Sequence, residues 1–306
     1  MMPSRSLDRA PRASVVTGPP ADAALEAAPP GAHRSVCPAL ELRDVTKVFT
    51  LESGQRVTAV DRLSLTIDPH EFVCVVGPSG HGKSTLLNLI AGFIAPTSGR
   101  IMCQGQPVMG PGSDRGVVFQ ADTLFMWQRV AENIAYGLRA RHVPRPEREA
   151  TVARLLDVVG LTPFARAWPK QLSGGMRRRV ALAAVFANEP DVLLMDEPFT
   201  GLDYARRARL HQVLVALWGN AGNTVLFVTH NVEEALTLAN RILVMTRGRI
   251  VQDFRLTSPP PREAEALQAD EVNGVRFALI EHLKASMTDI EPDITPPKRR
   301  RRLTSD

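Results

Sequence analysis

The pattern of apolar and polar positions predicts a series of short strands that begins near residue 40. Residues 40–45 and 63–67 alternate apolar and polar side chains, which is typical of strands with one buried face. Residues 72–76 are apolar throughout, as expected of a strand covered on both faces, and residues 83–92 predict a helix closed by a glycine. Further buried strands are predicted at residues 192–195, 224–228 and 242–245.

The stretch from about residue 123 to 189 has a mainly helical pattern. Apolar side chains recur there with a helical period, at Val152, Leu155, Leu156 and Val159. Because buried strands are predicted on both sides of this stretch, the sequence indicates an α/β core interrupted by a helical insertion.

The two ends of the chain differ in composition from its middle. Residues 1–38 are rich in proline and alanine, and we expect a disordered extension there and no secretory signal. After residue 257 a Ser-Pro-Pro-Pro sequence breaks the chain, and residues 272–283 have the apolar spacing of an amphipathic helix. We therefore predict a folded domain at 39–257, followed by a C-terminal helix and a basic disordered tail at 258–306.

The composition excludes several classes of protein. Of 306 residues, 44% are hydrophobic and 23% are charged, as in ordinary globular proteins and unlike disordered or fibrous chains. No stretch approaches 18 uninterrupted apolar residues, so no membrane span is predicted. The net charge of +5 equals the charge of the basic run at 298–302, which is either a solvated terminus or a contact for nucleic acid or anionic lipid. Three widely spaced cysteines indicate neither a disulfide framework nor a metal-binding pair, and they suit a reducing compartment.

A glycine-rich motif lies between the strand at 72–76 and the helix at 83–92. It fits the pattern G-x-x-x-x-G-K-[ST], in which glycines let backbone N–H groups close around phosphate oxygens and the helix N-terminus faces their charge. Lys83 is expected to reach the β- and γ-phosphates of a nucleotide, and the Ser84 hydroxyl to ligate Mg²⁺. The predicted nucleotide-binding residues are Gly77, Pro78, Ser79, Gly80, His81, Gly82, Lys83, Ser84 and Thr85.

The buried strand at 192–195 ends in two acidic residues. In a parallel sheet its carboxyl end would lie near the phosphate loop, since ligands bind at that edge of the sheet. Asp196 would then hold Mg²⁺, directly or through water, and Glu197 would polarise the attacking water. An Asp-Glu pair alone also fits a solvated strand end, but its combination with the phosphate loop favours the catalytic interpretation.

A second glycine-rich segment, Leu172-Ser173-Gly174-Gly175-Met176, stands about 20 residues before Asp196. Its glycines free backbone N–H groups where a helix begins, so the segment is either a simple helix cap or a second anion site shared by two chains. The segment resembles the signature sequence of ATP-binding cassette (ABC) ATPases. Other motifs of that family follow in the family order, and their residues are Phe49, which resembles the aromatic that stacks on adenine, Gln120 of the Q-loop, Asp203 of the D-loop and the switch histidine His230.

The resemblance covers about residues 40–255. It implies an α/β P-loop NTPase core of the RecA type, with an antiparallel β subdomain and a helical signature subdomain at about 123–189. It also implies that two copies of the chain meet head to tail and hydrolyse ATP with Mg²⁺. Each ATP would lie between the phosphate loop of one copy and Ser173, Gly174 and Gly175 of the other. Gln120 would contact Mg²⁺ or the attacking water, and Glu197 and His230 would organise that water.

Within this family, the segment around Trp127 resembles importer ATPases of the nitrate, sulfonate and taurine group. The chain departs from the usual residues of the family at Met126, Arg178, Thr200-Gly201 and Asn231. The resemblance implies an ATPase that energises the import of nitrate, a sulfonate, taurine or a related small solute. Its partners would be transmembrane permease subunits and, indirectly, an extracytoplasmic solute-binding protein. Its place would be the cytoplasmic face of the inner (plasma) membrane, as a peripheral protein.

Two other functions stay open from the sequence. A soluble ABC ATPase acting on nucleic acid or ribosomes is supported only by the basic tail. Such proteins usually carry long coiled-coil insertions, zinc motifs or a second cassette, none of which is present, so no nucleic-acid partner is expected. The ATPase of a lipid or export ABC system would use the same catalytic residues and differs mainly in the region around Trp127.

Overall fold

The computed structural model describes residues 37–120 and 123–288, so the basic run and nearly all of the predicted N-terminal extension lie outside the described residues. The strands are β1 (Leu40–Thr50), β2 (Arg56–Ile67), β3 (Phe72–Val76), β4 (Ser98–Cys103), β5 (Gln106–Pro107), β6 (Arg115–Val118), β7 (Val192–Asp196), β8 (Thr224–Thr229), β9 (Arg241–Thr246) and β10 (Arg249–Arg255). The helices are α1 (Lys83–Ala91), α2 (Val130–Ile134), α3 (Tyr136–Ala140), α4 (Arg145–Val158), α5 (Gly174–Phe186), α6 (Tyr204–Ala221), α7 (Val232–Leu238) and α8 (Asp270–Thr288). Short 3₁₀ helices lie at Thr162–Phe164, Pro169–Gln171 and Ala266–Gln268.

The strands form two sheets. One is antiparallel, with the order β2-β1-β4-β5, and its β1–β2 pairing aligns Leu40 with Ile67 and Leu42 with Leu65, so that their apolar side chains share one face. The larger sheet has the order β10-β9-β3-β8-β7-β6, and its strands are parallel except for β10. The strand before the phosphate loop, β3, therefore lies between β8 and β9, and β8 separates it from the acidic strand β7.

Alternate residues of β3 face two different hydrophobic cores. Phe72, Cys74 and Val76 pack into a core with apolar residues of α5, α6 and α7, whereas Val73 and Val75 pack with α1 and the antiparallel sheet. This double burial explains why the strand is apolar at every position. Burial also raises the pKa of the Cys74 thiol, as expected for a core residue.

Local sequence signals set the ends of the helices that border the site. Helix α1 ends at Gly92, which has a φ of 77° and closes the helix as predicted. Asn231 caps α7, since its side chain accepts the backbone N–H groups of Glu233 and Glu234. The Asn231 cap closely follows β8, so it fixes the direction in which the chain leaves the carboxyl end of that strand.

The segment after β10 packs against α7. Arg262 is only 3% exposed, and its guanidinium donates to the carbonyl oxygens of Leu236 at 3.0 Å and Ala239 at 2.6 Å, at the end of α7. In α8, Val272 and Leu279 are buried as the predicted amphipathic pattern requires, although other members of the predicted stripe are partly or largely exposed. No helix in the described part of the chain combines the length and apolarity needed to cross a membrane.

Candidate functional site

The phosphate loop, between β3 and α1, packs tightly against two neighbouring strands. A Cβ atom on Gly77 would lie 2.2 Å from the carbonyl oxygen of Met245, and one on Gly82 would lie 2.1 Å from that of Ala59. Gly82 also has a φ of 97°, a conformation that other residues rarely adopt. The close packing of the loop therefore requires both glycines and produces a narrow cradle of the kind that suits phosphate oxygens.

Lys83, the first residue of α1, is held inside this loop. The residue is 5% exposed, and its Nζ donates to the carbonyl oxygens of Gly77 at 2.8 Å and Pro78 at 2.9 Å. Burial lowers the pKa of Lys83, and the nearby carboxylates of Glu197 and Asp196 oppose that shift. Because these hydrogen bonds already orient the ammonium group, phosphate binding costs little further side-chain entropy at Lys83.

Ser84 and Asp196 bring two oxygen ligands together. Ser84 Oγ donates to Asp196 Oδ1 at 3.0 Å, which links the start of α1 to the end of β7. Burial raises the pKa of Asp196, and the hydrogen bond from Ser84 opposes this. Among the described residues, no group of three or more His, Cys, Asp or Glu side chains forms a metal site made by protein alone. The two oxygens of the Ser84–Asp196 pair fit Mg²⁺, which is usually held by few protein oxygens together with phosphate oxygens and water.

Glu197 and His230 form a carboxylate–imidazole pair. The distance from His230 Nδ1 to Glu197 Oε2 is 3.0 Å, and the same oxygen accepts the Thr200 hydroxyl at 3.1 Å. Glu197 has a φ of 43°, a left-handed conformation that costs a residue of this kind about 1–3 kcal/mol. Its backbone N–H donates to the carbonyl oxygen of Val228 at 2.9 Å, so the pairing of β7 with β8 holds the strained residue in place. The sequence indicated Thr200 only as a departure from the family.

Gln120 lines the same cavity as Glu197, whereas His230 is not among the residues that line it. The other lining residues are Ala59, Ser79, Gly80, Gly82, Lys83, Ser84, Thr85, Asp196 and Glu197. The backbone before the cavity is held by Arg178 of α5, which is 7% exposed and donates to the carbonyl oxygens of Phe119, at 3.0 Å, and of Gln120. Arg178 was also noted only as a departure, and no local signal predicts its contact with a residue 58 positions earlier.

The signature segment lies outside this cavity within one chain. Ser173 caps α5, and its Oγ accepts the backbone N–H of Met176 at 3.3 Å. Neither Ser173 nor the two glycines that follow it are lining residues of the cavity. A Cβ atom on Gly175 would meet no described atom within 4 Å, so packing inside the chain does not explain this glycine.

Phe49 and Asp203 also lie outside the cavity. Phe49 is 38% exposed near the end of β1, and Lys47 Nζ is 5.1 Å from the centroid of its ring. Asp203 caps α6 by accepting the backbone N–H of Arg206 at 2.9 Å. Both side chains are accessible, and their contacts with a nucleotide or a second chain stay predictions.

His81, like Gly77 and Pro78, is a predicted phosphate-loop residue that does not line the cavity. It is 8% exposed, and its Nδ1 accepts the backbone N–H of Arg247 at 3.4 Å, while its carbonyl oxygen accepts that of Gly248 at 3.1 Å. Burial lowers the pKa of His81, helped by the charges of Lys83 and Arg247. The imidazole therefore anchors the loop to the turn between β9 and β10, and it is not among the groups that line the cavity.

Comparisons with known proteins agree with this arrangement. The family model described as ABC transporter matches residues 60–200, and a model for an AAA domain matches residues 168–236. The taurine import ATP-binding protein of Rhizobium johnstonii is 47% identical over 219 residues, which are 71% of this chain and 84% of that protein. The nitrate import ATP-binding protein of Synechocystis sp. is 46% identical over 226 residues, which are 73% of this chain and 85% of that protein.

A solved structure extends the likeness to the fold. A dimeric ATP-binding cassette in a post-hydrolysis state, bound to ADP and Pi, has a TM-score of 0.63 and 30% sequence identity, and the match covers 72% of this chain and 100% of that one. The predicted P-loop α/β fold with an antiparallel sheet and helical parts is thereby confirmed. The identity to these relatives and the order of the family motifs along the sequence show that this chain belongs to the ABC transporter family of ATP-binding proteins.

Proposed function

We propose that this chain is the ATP-hydrolysing subunit of a membrane importer for a small solute such as nitrate, a sulfonate or taurine. The proposal depends most on one observation, the convergence of phosphate-loop, Q-loop and acidic-strand side chains on a single cavity. These side chains provide a cation for the phosphates, oxygen ligands for a metal and a carboxylate for the water. Phosphoryl transfer to water needs these three functions, because its catalysis consists mainly of positioning and charge stabilisation.

The chain would bind ATP by presenting groups that are already oriented. The cradle of the phosphate loop and the N-terminus of α1 would receive the phosphates, and Lys83 would add its ammonium group. Ser84, Asp196 and Gln120 would hold Mg²⁺, which when bound neutralises charge on the β- and γ-phosphate oxygens. The close Ser84–Asp196 contact and the glycine packing of the loop support this assignment.

Glu197 is the residue that would orient the attacking water and accept its proton. Its carboxylate is fixed by Thr200 and His230, and its backbone N–H is bonded to Val228. A base held in position before the reaction avoids the cost of reorganising it during the reaction. His230 would stabilise the orientation of Glu197 through their 3.0 Å contact.

A second copy of the chain would complete the site. Ser173, Gly174 and Gly175 lie outside the cavity of their own chain, and the open space beside Gly175 suits the close approach of phosphates bound to another copy. The dimeric state of the similar cassette supports a head-to-tail pair. Phe49 would stack on adenine, a contact that contributes about 1–3 kcal/mol for a base on an aromatic ring.

The proposed place of action is the cytoplasmic face of the plasma membrane, on permease subunits that cross it. An extracytoplasmic solute-binding protein would deliver the solute to those subunits. The import functions in the names of the relatives support this class of transporter. Met126 and Trp127 are 49% and 73% exposed close to the Q-loop, and such an apolar surface suits a protein partner.

Purification of the tagged chain from its native membranes under mild conditions tests this proposal. We expect a polytopic permease to co-purify in stoichiometric amount and the complex to hydrolyse ATP. In reconstituted vesicles, the solute carried by that permease should enter only when ATP is present on the side of this chain. Recovery of the chain with nucleic acid or ribosomes, without a permease, would contradict the importer assignment.

A further inference from the structure

A buried carboxylate lies behind the turn that carries His230. Glu234 of α7 is 5% exposed, and its Oε2 accepts the Thr229 hydroxyl at 2.6 Å. The oxygen of that hydroxyl accepts the backbone N–H of Asn231 at 3.0 Å. Thr229 and Asn231 are the two neighbours of His230 in the sequence. This series of hydrogen bonds therefore fixes the backbone on both sides of the histidine, a segment that we call the switch turn (residues 229–231).

The other oxygen of Glu234 faces α6, the helix that follows the D-loop (residues 201–203). Arg207 Nε lies 3.5 Å from Oε1 of Glu234, and His211 Nε2 lies 3.8 Å from the same oxygen. Neither nitrogen has a hydrogen-bond partner among the described residues, and both face the carboxylate of Glu234. Arg207 also donates through Nη2 to the carbonyl oxygen of Leu202 at 3.1 Å. A single guanidinium thus connects the D-loop to Glu234.

Aromatic packing connects His211 to Phe199, which lies two residues after Glu197. The His211 ring lies 5.0 Å from the Phe199 ring, and Phe199 is 1% exposed and lies 5.7 Å from Phe227 of β8. The imidazole that faces Glu234 is therefore packed between α6 and the end of β7. Movement of the D-loop helix cannot occur without disturbing this contact.

The surroundings keep Glu234 ionised although it is buried. Burial alone would raise the pKa of Glu234, but His211, Thr229 and Arg207 together outweigh burial and hold it below its ordinary value. A buried charge that loses its partner is destabilising. If Arg207 moves with the D-loop, Glu234 loses a charged partner. This destabilises the position of Glu234 and, through the Thr229 hydroxyl, that of the switch turn.

We propose that Glu234 is a positioning residue through which the D-loop and the switch turn move as one unit. Glu234 lies outside the cavity and acts through its neighbours: Thr229 holds His230 toward Glu197, and Arg207 follows the D-loop. The inference rests on the proposed function, because it takes Glu197 and His230 as the hydrolytic pair. Its consequence is that hydrolysis depends on the position of a segment predicted to face the second copy.

Steady-state kinetics of the full-length chain test the positioning role. Glu234→Gln keeps the shape of the side chain and removes its charge. We expect kcat for ATP hydrolysis to fall about 10- to 100-fold, because a small misplacement of a catalytic group has an effect of that size. KM for ATP should stay within about twofold, since the phosphate loop is unchanged.

Glu233→Gln is the matched control for this variant. It removes the same charge from the preceding residue of α7, where the side chain is 58% exposed and pairs with Arg276 of α8. Both kinetic constants should stay within about twofold of those of the unchanged chain. An equal fall in kcat for both variants, or no fall for Glu234→Gln, would overturn the proposal.

Hydrogen exchange tests the coupling itself. In Glu234→Gln, amides of residues 201–206 and of residues 229–235 should both exchange faster, whereas Glu233→Gln should leave residues 201–206 unchanged. Faster exchange in only one of the two segments would overturn the coupling. If Glu234→Gln does not fold, Thr229→Val removes the hydroxyl with its contacts to Glu234 and to the Asn231 N–H and leaves the Glu234 carboxylate in place. This variant should also loosen both segments. Unchanged exchange at residues 201–206 in Thr229→Val would then overturn the proposal.

His230→Ala separates failure of this inference from failure of the proposed function. Loss of turnover in His230→Ala together with normal turnover in Glu234→Gln would overturn the positioning role alone. Normal turnover in His230→Ala would instead remove His230 from the hydrolytic pair, and with it the basis of the inference.

Discussion

Glu197 Oε2 lies 3.0 Å from His230 Nδ1 at the carboxyl ends of two neighbouring parallel strands. The pairing of β7 with β8 sets this separation, because it aligns Asp196 with Val228 and continues in the hydrogen bond from Glu197 to Val228. The geometry of the pair is therefore fixed by the sheet more than by the loops that follow it. Sites built on strands in this way hold their side chains more rigidly than sites built on loops alone.

Replacing Glu197 by glutamine should separate ATP binding from ATP hydrolysis. The amide cannot accept a proton from water, whereas the phosphate loop is unchanged. We expect turnover to fall by about 100-fold or more, the usual contribution of a general base. The Kd for ATP should stay within about threefold. Steady-state ATPase assays and equilibrium binding on the same preparation measure both quantities.

Glu189→Gln is the control for that experiment. Glu189 also has a left-handed backbone, with a φ of 48°, and it lies outside the cavity, so its substitution tests the same side-chain change on a similar backbone. The control should hydrolyse ATP normally. Normal turnover in Glu197→Gln would exclude Glu197 as the base.

Replacing Lys83 by alanine should weaken nucleotide binding. The change removes the ammonium group and leaves the carbonyl oxygens of Gly77 and Pro78 without its hydrogen bonds. We expect the Kd for ATP, measured by titration with a fluorescent analogue, to rise about tenfold or more, which corresponds to at least about 1.4 kcal/mol. Lys284→Ala removes the same charge from a side chain that is 70% exposed on α8, and it should bind normally. Unchanged affinity in Lys83→Ala would count against the phosphate-loop assignment.

Replacing Asp196 by asparagine should stabilise the nucleotide-free protein and abolish its Mg²⁺-dependent activity. Burial raises the pKa of Asp196, so its ionised form is unfavourable in the folded state at neutral pH. Asparagine keeps an oxygen for Ser84 and carries no charge. Because Asp196 is only partly buried, solvent screens its charge, and we expect the free energy of unfolding to rise by no more than about 1 kcal/mol at neutral pH.

This gain in stability should depend on pH in a defined direction. As the pH falls through the raised pKa of Asp196, the wild-type carboxyl becomes neutral, and the difference from Asp196→Asn should shrink. Thermal unfolding of both proteins at several pH values, without nucleotide or metal, measures the difference. Asp157→Asn, on the exposed side of α4, should show no such gain. A difference that grows on acidification would contradict the argument.

Replacing Gly175 by alanine should prevent dimerisation without lowering the stability of the single chain. A Cβ atom at Gly175 has open space around it, and alanine favours a helix over glycine by about 0.5–1 kcal/mol, so the thermal stability should not fall. The added methyl group would instead obstruct the phosphates of the second copy. We expect ATP-dependent dimerisation, measured by light scattering in the Glu197→Gln background, to be lost.

Gly219→Ala is the matched control, because Gly219 is also a helical glycine at which an added Cβ atom would meet no described atom within 4 Å. Its stability should change in the same direction, and its dimerisation should be normal. If Gly175→Ala dimerises as well as Gly219→Ala, the assignment of the signature segment to the dimer interface is wrong.

The sequence predicted those parts of the molecule whose chemistry is local. The phosphate loop could be predicted because the glycines, Lys83 and Ser84 are close together in the chain and stand between a recognisable strand and helix. The fold class, the ABC family and the ATPase class followed from the order of such motifs, and the relatives confirm them. The roles of the individual site residues stay predictions, because they involve a nucleotide and a second chain.

Contacts between distant segments could not be predicted from the sequence. Arg178 was noted only because it is unusual in the family, and its bonds to the Q-loop backbone depend on how α5 packs beside β6. Glu234 in the sequence is an ordinary charged residue on a helix, and its surroundings depend on side chains from a distant segment, Arg207 and His211 of α6. The sequence likewise did not indicate that β8 lies between the two motif-bearing strands β3 and β7, since strand order is a property of the whole sheet.

The position of β3 in the sheet has a consequence for the synthesis of the chain. The phosphate loop leaves the ribosome early, but both strands that pair with β3, at Thr224–Thr229 and Arg241–Thr246, are made much later. Until they emerge, β3 has no partner strand, and the carbonyl oxygen of Met245, against which Gly77 packs, does not exist. A nascent chain that stops before residue 224 thus carries the complete phosphate-loop motif without either partner strand of β3, and it should still fail to recognise ATP.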